Sequence, residues 1–465
     1  MPAISDRLSI AFLICAATLV ACADEASLQE GEWLPGGETT NTFLLGSNAF
    51  TMPAENTTSE HQAWFYSGNS FFSQGWVQAP ASTTGRDGLG PLFNARACSV
   101  CHFKDGRGRP PLEEGEEFKG LLFRLALDQA QTVHGSAPDP VYGGQLQPFA
   151  IGDVPPEVTP TLYYEELAGV FDDGEPYTLL NPVYGFTELG YGPLDPKTRV
   201  SPRVAQAVIG LGLLEAIPDA RLAELEDPDD EDGDGVSGRR NLVWDIEAQQ
   251  TRTGRFGWKA EQPTIRQQSA AAFLGDLGLT TPLFPEETCS DAQVLCASAE
   301  NGGEPEVAEK ILDRVAHYVR LVAVPMRTRY DDEEVLRGKG HFYDLGCAAC
   351  HVANHITADD AELVELRSQS IWPYTDLLLH DMGEALADHS PSFEASGTEW
   401  RTAPLWGLGY YDAVNGHDRL MHDGRARGVS EAILWHGGEA APARDAFKAL
   451  PVTERDALVA FVESL

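Results

Sequence analysis

Two short cysteine motifs, each followed directly by a histidine, carry the chemistry that the sequence predicts. They are Cys98-Ser99-Val100-Cys101-His102 and Cys347-Ala348-Ala349-Cys350-His351. In c-type haem attachment each thiol adds to one vinyl group of the porphyrin, and the adjacent histidine binds the iron. Thioredoxin-like redox pairs and zinc sites also use paired cysteines, but neither requires a histidine directly after the second cysteine. The motifs therefore predict two c-type haems, with His102 and His351 as proximal iron ligands.

Residues 1–22 have the layout of a signal peptide. Arg7 precedes an apolar run over residues 10–21 that is too short to span a membrane. Leu19-Val20-Ala21-Cys22 resembles a bacterial lipobox, in which the cysteine becomes the lipidated first residue after cleavage. Ordinary cleavage at a neighbouring alanine is the alternative. We therefore expect an exported protein that a lipid on Cys22 anchors in the periplasm to a bacterial membrane, with the outer membrane as the first candidate.

A third pair of cysteines lies between the two histidine-containing motifs. Cys289 and Cys296 have no adjacent histidine and belong to a polar stretch of the chain. In an exported protein such a pair most simply forms a disulfide that closes a short surface loop. Two free buried thiols are the alternative.

The chain is strongly acidic, with 71 Asp and Glu residues against 33 Lys and Arg residues and a formal net charge of −38. This charge argues against a nucleic acid partner, because phosphate binding needs a basic surface. It would attract a basic redox protein that acts as electron donor or acceptor. A merely solvated acidic surface is the alternative.

One acidic stretch has the spacing of a calcium loop. Asp230, Asp232 and Asp234 stand at positions one, three and five of an EF-hand pattern, Gly235 follows at six, and Val236 offers its carbonyl at seven. Position twelve is an asparagine where the loop usually has a bidentate glutamate. The stretch predicts a Ca²⁺ site, and a plain acidic surface run is the alternative.

Apolar periodicity divides the chain around these motifs. Helical patterns are expected over 204–217, 307–322, 332–345 and 452–465, and short strands near 176–180. The predicted fold class is mainly α, with two cytochrome-c-like haem domains and an irregular insertion containing short β-strands. The predicted units are a signal peptide (1–22), a tether (23–60), an N-terminal haem domain with the β-containing insertion (61–200), a central helical connection with the calcium and disulfide loops (201–330), and a C-terminal cytochrome c domain (331–465).

Several stretches together resemble the di-haem oxidoreductase family, a distant relative of bacterial di-haem cytochrome c peroxidases. Besides the two haem motifs they are 87–94, 139–145, 377–383, 422–427 and 434–439. In the peroxidase relatives a His-Asp-Gly motif is followed fourteen residues later by the distal ligand of the C-terminal haem. Here His422-Asp423-Gly424 is followed at that spacing by His436. The resemblance implies a second haem bound by His351 and His436. A packing role for His436, with Met421, Met382 or His380 as ligand, is the alternative.

The first haem has no distal ligand close in sequence, since neither His nor Met occurs between His102 and His134. An accessible iron at this haem is therefore expected. The resemblance implies that His422 lies near this haem and moves protons there, and a structural hydrogen-bonding role is the alternative. The relatives also use a distal glutamate, but Gln145 and Gln147 stand where a carboxylate is expected.

These features together predict a di-haem c-type oxidoreductase. Electrons would enter at the second haem and pass to the first, which would reduce peroxide or oxidise a periplasmic protein or metal substrate. The alternative is a non-catalytic di-haem electron-transfer cytochrome in which both irons have two protein ligands.

Overall fold

Helices and short antiparallel strand pairs alternate along the chain. The structure, a computed structural model, describes residues 27–113, 115–128 and 131–465, so the predicted signal peptide and Cys22 lie outside the described residues. None of the described helices is long and apolar enough to cross a membrane.

The helices are α1 (Ser59–Ser73), α2 (Cys98–Cys101), α3 (Leu211–Glu215), α4 (Asp219–Leu225), α5 (Ile265–Leu277), α6 (Val294–Ala297), α7 (Glu309–Leu321), α8 (Glu333–Asp344), α9 (Tyr411–Asn415), α10 (Gly428–Trp435), α11 (Ala441–Ala449) and α12 (Val452–Ser464). The strands are β1 (Leu92–Phe93), β2 (Leu121–Leu127), β3 (Gln131–Thr132), β4 (Gly135–Ser136), β5 (Gln145–Leu146), β6 (Phe149–Ala150), β7 (Thr159–Val170), β8 (Pro176–Thr187), β9 (Thr198–Val204), β10 (Leu242–Asp245), β11 (Gln250–Thr253), β12 (His355–Ile356), β13 (Ser370–Ile371), β14 (Leu379–Asp381), β15 (Glu399–Arg401), β16 (Arg419–Leu420) and β17 (Ala426–Arg427).

The predicted mainly α fold with two cytochrome-c-like haem domains is wrong. About 30% of the residues are helical and 19% lie in strands, which form many small sheets. Most of these sheets are antiparallel pairs, and one has three strands in the order β5-β2-β9. Long amphipathic helices leave a periodic signal in a sequence, whereas strands of two residues leave none. Counting periodic segments therefore overestimates the helical share of this fold.

The predicted helix over 204–217 is also much shorter in the structure. Val204 ends strand β9, and helix α3 begins only at Leu211. Gly210 lies between them with a φ of +65°, a left-handed conformation that a continuous right-handed helix does not contain. The backbone thus turns at the glycine, and residues before it can border the first cysteine motif.

Two apolar cores lie beside the two cysteine motifs. In the first, helices α1, α5 and α7 contribute Phe65, Phe273 and Tyr318, and Cys98 packs at its edge. In the second, helices α8 and α12 contribute Phe342 and Phe461, whose rings are 5.2 Å apart, and Cys347 packs at its edge. Each motif is thus held against a rigid helical layer.

A glycine allows close helix contact in each core. A Cβ atom at Gly68 of α1 would lie 2.0 Å from the carbonyl oxygen of Arg314 in α7. A Cβ atom at Gly338 of α8 would lie 1.8 Å from the carbonyl oxygen of Ala457 in α12. No side chain fits at these distances, so glycine is required at both crossings.

Strands β7 and β8 form a long hairpin that contacts both halves of the chain. They pair in register from Thr159↔Thr187 to Val170↔Pro176. Near one end, the Tyr184 ring packs against Phe123 of β2 at 5.5 Å. At the turn, Asp173 pairs with Arg455 of α12 at 2.9 Å. The insertion was expected to contain short strands, and this hairpin is considerably longer.

Residues 27–58 pack on the body of the protein, which differs from the tether predicted over 23–60. The Glu32 carboxylate is fully buried and pairs with Arg327 and with Lys339 Nζ at 2.6 Å. It also accepts a hydrogen bond of 2.6 Å from the Tyr374 hydroxyl. Polar composition suggested a spacer, but this one carboxylate pairs with two buried cations that lie far away in sequence.

Replacing Glu32 with Gln should destabilise the fold by about 3–5 kcal/mol, because it removes the buried carboxylate that pairs with Arg327 and Lys339. Burial raises the pKa of Glu32, but Arg327 and Lys339 outweigh it and leave the pKa lowered. The contribution of ionised Glu32 to the free energy of unfolding is therefore complete above the pKa of about 4.3 that Glu has in the unfolded chain. It is lost as the pH falls through the lower pKa of Glu32 in the folded protein. Denaturant unfolding measures the effect. The exposed Glu38→Gln variant serves as control and should unfold like the wild type.

Candidate haem sites

The first cysteine motif presents two free thiols and an oriented imidazole. Cys98 and Cys101 begin and end the single-turn helix α2, and neither forms a disulfide. His102 Nδ1 lies 2.6 Å from the carbonyl oxygen of Gln206. Because a carbonyl can only accept, Nδ1 donates, and Nε2 keeps its lone pair for a metal. This arrangement fits a proximal iron ligand.

A cavity of about 250 Å³ adjoins this motif. It is lined by both thiols and His102 together with residues of β2, β9, α5 and the 255–262 and 401–411 segments. Among the described lining residues, His102 is the one histidine, and there is no methionine. The described lining therefore offers no second histidine and no methionine as an iron ligand in this cavity.

Buried arginines give the cavity a positive character that contrasts with the charge of the whole chain. Arg107, Arg124 and Arg401 line it and form no ion pair with the described carboxylates. Buried cations normally need a partner. Haem brings two propionate carboxylates, so the cavity has the charge that this cofactor would require.

The thiols of the first motif are unsuited to thiolate chemistry. Burial and the Asp276 carboxylate raise the pKa of Cys98 to about 12 and also raise that of Cys101. Redox-active cysteine pairs need a thiol pKa that is lowered. The environment therefore favours neutral thiols, which speaks against a thioredoxin-like redox pair.

The second motif repeats the same arrangement and adds another histidine. His351, beside the single-turn helix Cys347–Ala349, donates from Nδ1 to the carbonyl oxygen of Tyr374 at 2.9 Å. His436, directly after helix α10, donates from Nδ1 to the carbonyl of Ala432 at 2.7 Å. Burial, reinforced by the electrostatic effect of His436, lowers the pKa of His351 to about 4. The two imidazoles thus lie within electrostatic range of each other, and each keeps the Nε2 lone pair for a metal because Nδ1 is the donor.

His380, an alternative ligand, lies beside the second motif, with Nδ1 3.6 Å from Cys350 Sγ, but both of its ring nitrogens face carboxylates. Its Nε2 lies 2.8 Å from Asp376 Oδ2, and its Nδ1 lies 2.9 Å from Glu439 Oε2. Burial alone lowers the pKa of His380, but these carboxylates raise it well above its ordinary value. Both ring nitrogens therefore carry protons, and neither can bind iron in this arrangement. Met382 and Met421 are partly buried against the second core.

His422 borders the first site through its main chain, while its ring packs away from the lining residues. Its carbonyl accepts a hydrogen bond from Val204, which lines the cavity. Its ring stacks on Trp400 with centroids 3.9 Å apart, and Nε2 lies 3.8 Å from Asp423 Oδ2. Burial lowers the pKa of His422 to about 4, so the ring is neutral. The proton-transfer role of His422 stays a prediction.

The carboxylates at the first cavity are Asp276 and Glu261, which the sequence did not point to. Gln145 also lines the cavity, and its side-chain amide donates to Asp276 Oδ1 at 2.8 Å. Glu261 forms an ion pair with Arg203. No local motif marks either carboxylate, because the residues that bring them to the cavity are distant in sequence.

The candidate calcium loop groups a slightly different set of carboxylates from the predicted one. Ligand oxygens of Asp227, Asp230 and Asp232 lie within 4.8 Å of one another. Asp234 instead accepts a hydrogen bond of 2.8 Å from the backbone N–H of Val236. These contacts show a tight acidic turn, and calcium itself stays a prediction.

The remaining cysteine pair forms the disulfide that the sequence suggested. The sulfur atoms of Cys289 and Cys296 are 2.01 Å apart. The bridge joins Cys289 to helix α6, in which Cys296 is buried.

Most of the chain matches a known protein family. A protein-family model described as "Di-haem oxidoreductase, putative peroxidase" matches residues 33–129 and 192–465. The segment between the matched ranges contains the β7–β8 hairpin. No curated protein matches the chain. The chain therefore belongs to the di-haem oxidoreductase family and is an oxidoreductase with haem cofactors.

Proposed function

We propose that this chain is a di-haem peroxidase in which one haem receives electrons and the other reduces peroxide. Cys347 and Cys350 would attach the receiving haem, and His351 and His436 would be its iron ligands. Cys98 and Cys101 would attach the peroxide-reducing haem, and His102 would be its iron ligand. The observation that supports this proposal is the asymmetry of the sites, because His436 lies within electrostatic range of His351 at the second, while the lining of the first includes one histidine.

The residues of the first cavity have distinct tasks. Haem with one open side supplies electron transfer and a place for peroxide to bind. Glu261 stays ionised, because Arg203 outweighs the effect of burial and lowers its pKa. Burial raises the pKa of Asp276, so this carboxyl holds its proton more readily. Asp276 is thus the carboxyl best suited to donate a proton to a peroxide oxygen, which helps the leaving oxygen depart.

Carbon monoxide binding to the reduced protein tests the asymmetry directly, because the gas binds an iron only where a coordination position is open. We expect one of the two haems to bind carbon monoxide. The spectrum of that haem should disappear when Cys98 and Cys101 are replaced. If neither haem binds the gas, the protein is the electron-transfer cytochrome that forms the alternative.

Replacing Asp276 with Asn should lower peroxide turnover by about 10²–10⁴-fold, the usual contribution of a positioned proton donor. Asparagine keeps the acceptor for Gln145, so haem content and the spectrum should be unchanged. Steady-state reduction of peroxide with an artificial donor measures the loss. The exposed Asp291→Asn variant is the control and should keep full activity. Full activity in Asp276→Asn would show that another group donates the proton to peroxide.

The site of action proposed for this protein is the periplasm, with a lipid on Cys22 holding it at a membrane. The formal net charge of −38 supports a basic redox protein as electron donor. The rate of reduction by such a donor should then fall as salt is added, because screening weakens the attraction. Replacing Cys22 with Ala should release the protein from the membrane fraction.

The acidic loop around Asp230 is proposed to bind Ca²⁺ and to stabilise the central part of the fold. Binding to the native state alone adds about 2.7 kcal/mol at a hundredfold excess over Kd. The melting temperature should therefore rise with calcium and fall with a chelator in the wild type. It should respond to neither in the Asp230→Asn/Asp232→Asn variant. If the wild type has the same melting temperature in calcium and in chelator, the loop is an acidic turn that does not bind Ca²⁺.

A further inference from the structure

A buried arginine lies between the two candidate haem sites. Arg401 ends strand β15, lines the first cavity and is 5% exposed. Its guanidinium donates to the carbonyl oxygen of Gly257 at 2.9 Å, to Gln206 Oε1 at 3.2 Å and to the carbonyl of Thr402 at 3.1 Å. All three acceptors are uncharged, so a full positive charge is held here by amide oxygens.

Arg401 remains charged although it is buried. Burial lowers its pKa to about 10, and the more distant carboxylates of Glu261 and Asp376 act in the opposite direction. A guanidinium with this pKa is protonated at neutral pH. Its field therefore acts on whatever cofactor occupies the neighbouring space.

One hydrogen bond of Arg401 leads to the proximal histidine of the first site. Gln206 accepts from Arg401 through its side-chain oxygen. The carbonyl oxygen of the same residue accepts from His102 Nδ1 at 2.6 Å. Arg401 therefore restrains the residue that orients His102.

A second hydrogen bond leads to the proximal histidine of the other site. The carbonyl oxygen of Thr402 accepts both from Arg401 and from the Thr375 hydroxyl, the latter at 2.7 Å. Thr375 is the next residue after Tyr374, whose carbonyl accepts from His351 Nδ1 at 2.9 Å. The two histidine-orienting segments are thus joined through one side chain and its neighbour.

We propose that Arg401 is a positioning residue that sets the reduction potentials of both haems together. This inference rests on the proposed attachment of haem at the two cysteine motifs. A fixed positive charge disfavours the ferric iron relative to the ferrous iron and so raises the potential. Hydrogen bonds that hold the outer nitrogen of a ligating histidine tune the same quantity. Because Arg401 bonds into both histidine-orienting segments, its effect reaches both irons.

The test is a spectroelectrochemical titration of both haems in Arg401→Gln. We expect both potentials to fall so that the oxidised-to-reduced ratio at a fixed applied potential rises about tenfold, which is 59 mV for a one-electron couple. The wild type is first shown by mass spectrometry to carry two haems. If mass spectrometry finds fewer than two haems in the wild type, that result counts against the proposed function and not against the role of Arg401.

Arg124→Gln is the matched control. Arg124 is another arginine of the first cavity without an ion pair, and its side chain bonds to Gln145 and not to either histidine-orienting segment. Its replacement should shift the first potential and leave the second unchanged.

Arg401→Lys decides the question if Arg401→Gln does not load both haems. Lysine keeps the charge, but one ammonium group cannot hold Gln206 and Thr402 together. We expect a threefold change in the oxidised-to-reduced ratio, about 28 mV, again in both haems. Shifts confined to one haem, or absent in both, would overturn the proposal.

Discussion

A variant in which Cys98 and Cys101 are both replaced by Ala should carry one haem instead of two. Attachment requires the thiols, and this motif supplies both of them for the first cavity. Replacing Cys347 and Cys350 should likewise leave one haem, this time in the first site. Mass spectrometry of protein matured in a host with c-type haem machinery counts the haems in each variant. Optical spectra of the two variants should then separate the contributions of the two sites.

The third cysteine pair provides the control for this experiment. Cys289→Ser/Cys296→Ser removes two sulfur atoms that form a disulfide and that lie outside both haem motifs. This variant should retain two haems. If the wild type itself carries fewer than two, the interpretation of the motifs as covalent haem sites fails.

Replacing His436 with Met should raise the potential of the second haem by at least about 59 mV, a tenfold change in the oxidised-to-reduced ratio. His/Met coordination raises the potential of a haem relative to coordination by two histidines, because the thioether stabilises ferric iron less well. Both haems should stay attached, since attachment depends on the cysteines. In His436→Ala the second iron should gain an open position and bind carbon monoxide.

His389→Met is a suitable control, because the side chain of His389 is 56% exposed and lies in the same part of the chain. The reduction potentials of both haems in the His389→Met variant should equal those of the wild type. Unchanged potentials in both His436→Met and His436→Ala would place the ligand elsewhere. Met382 and Met421 would then be tested, since both nitrogens of His380 already face carboxylates.

The features that the sequence predicted well depend on residues that are close together in the chain. Each cysteine motif spans five residues, and the order of its two cysteines and its histidine can be recognised from the sequence without the fold. The helix expected over 332–345 is observed as Glu333–Asp344, with the Asp332 side chain accepting a hydrogen bond from the Glu334 N–H at its start. The helix expected over 452–465 is observed as Val452–Ser464. In these segments local propensity and packing favour the same structure.

The features that the sequence did not predict depend on distant partners. Glu32 is buried because Arg327 and Lys339 lie beside it, 295 and 307 residues further along the chain. Asp276 and Arg401 reach the first cavity only because separate strands and helices converge there. Such contacts have no local pattern, so composition alone predicted a flexible tether where the structure has a buried ion network.

The β7–β8 hairpin belongs to a segment that the family model leaves unmatched, between residues 129 and 192. The strands on either side of this segment are already neighbours, since Leu127 of β2 pairs with Thr198 of β9. A segment entering and leaving at paired strands can change in length without altering their register. It nevertheless contributes Gln145 to the first cavity. The hairpin segment can therefore vary in length beside the first cavity while the strands that flank it keep their pairing.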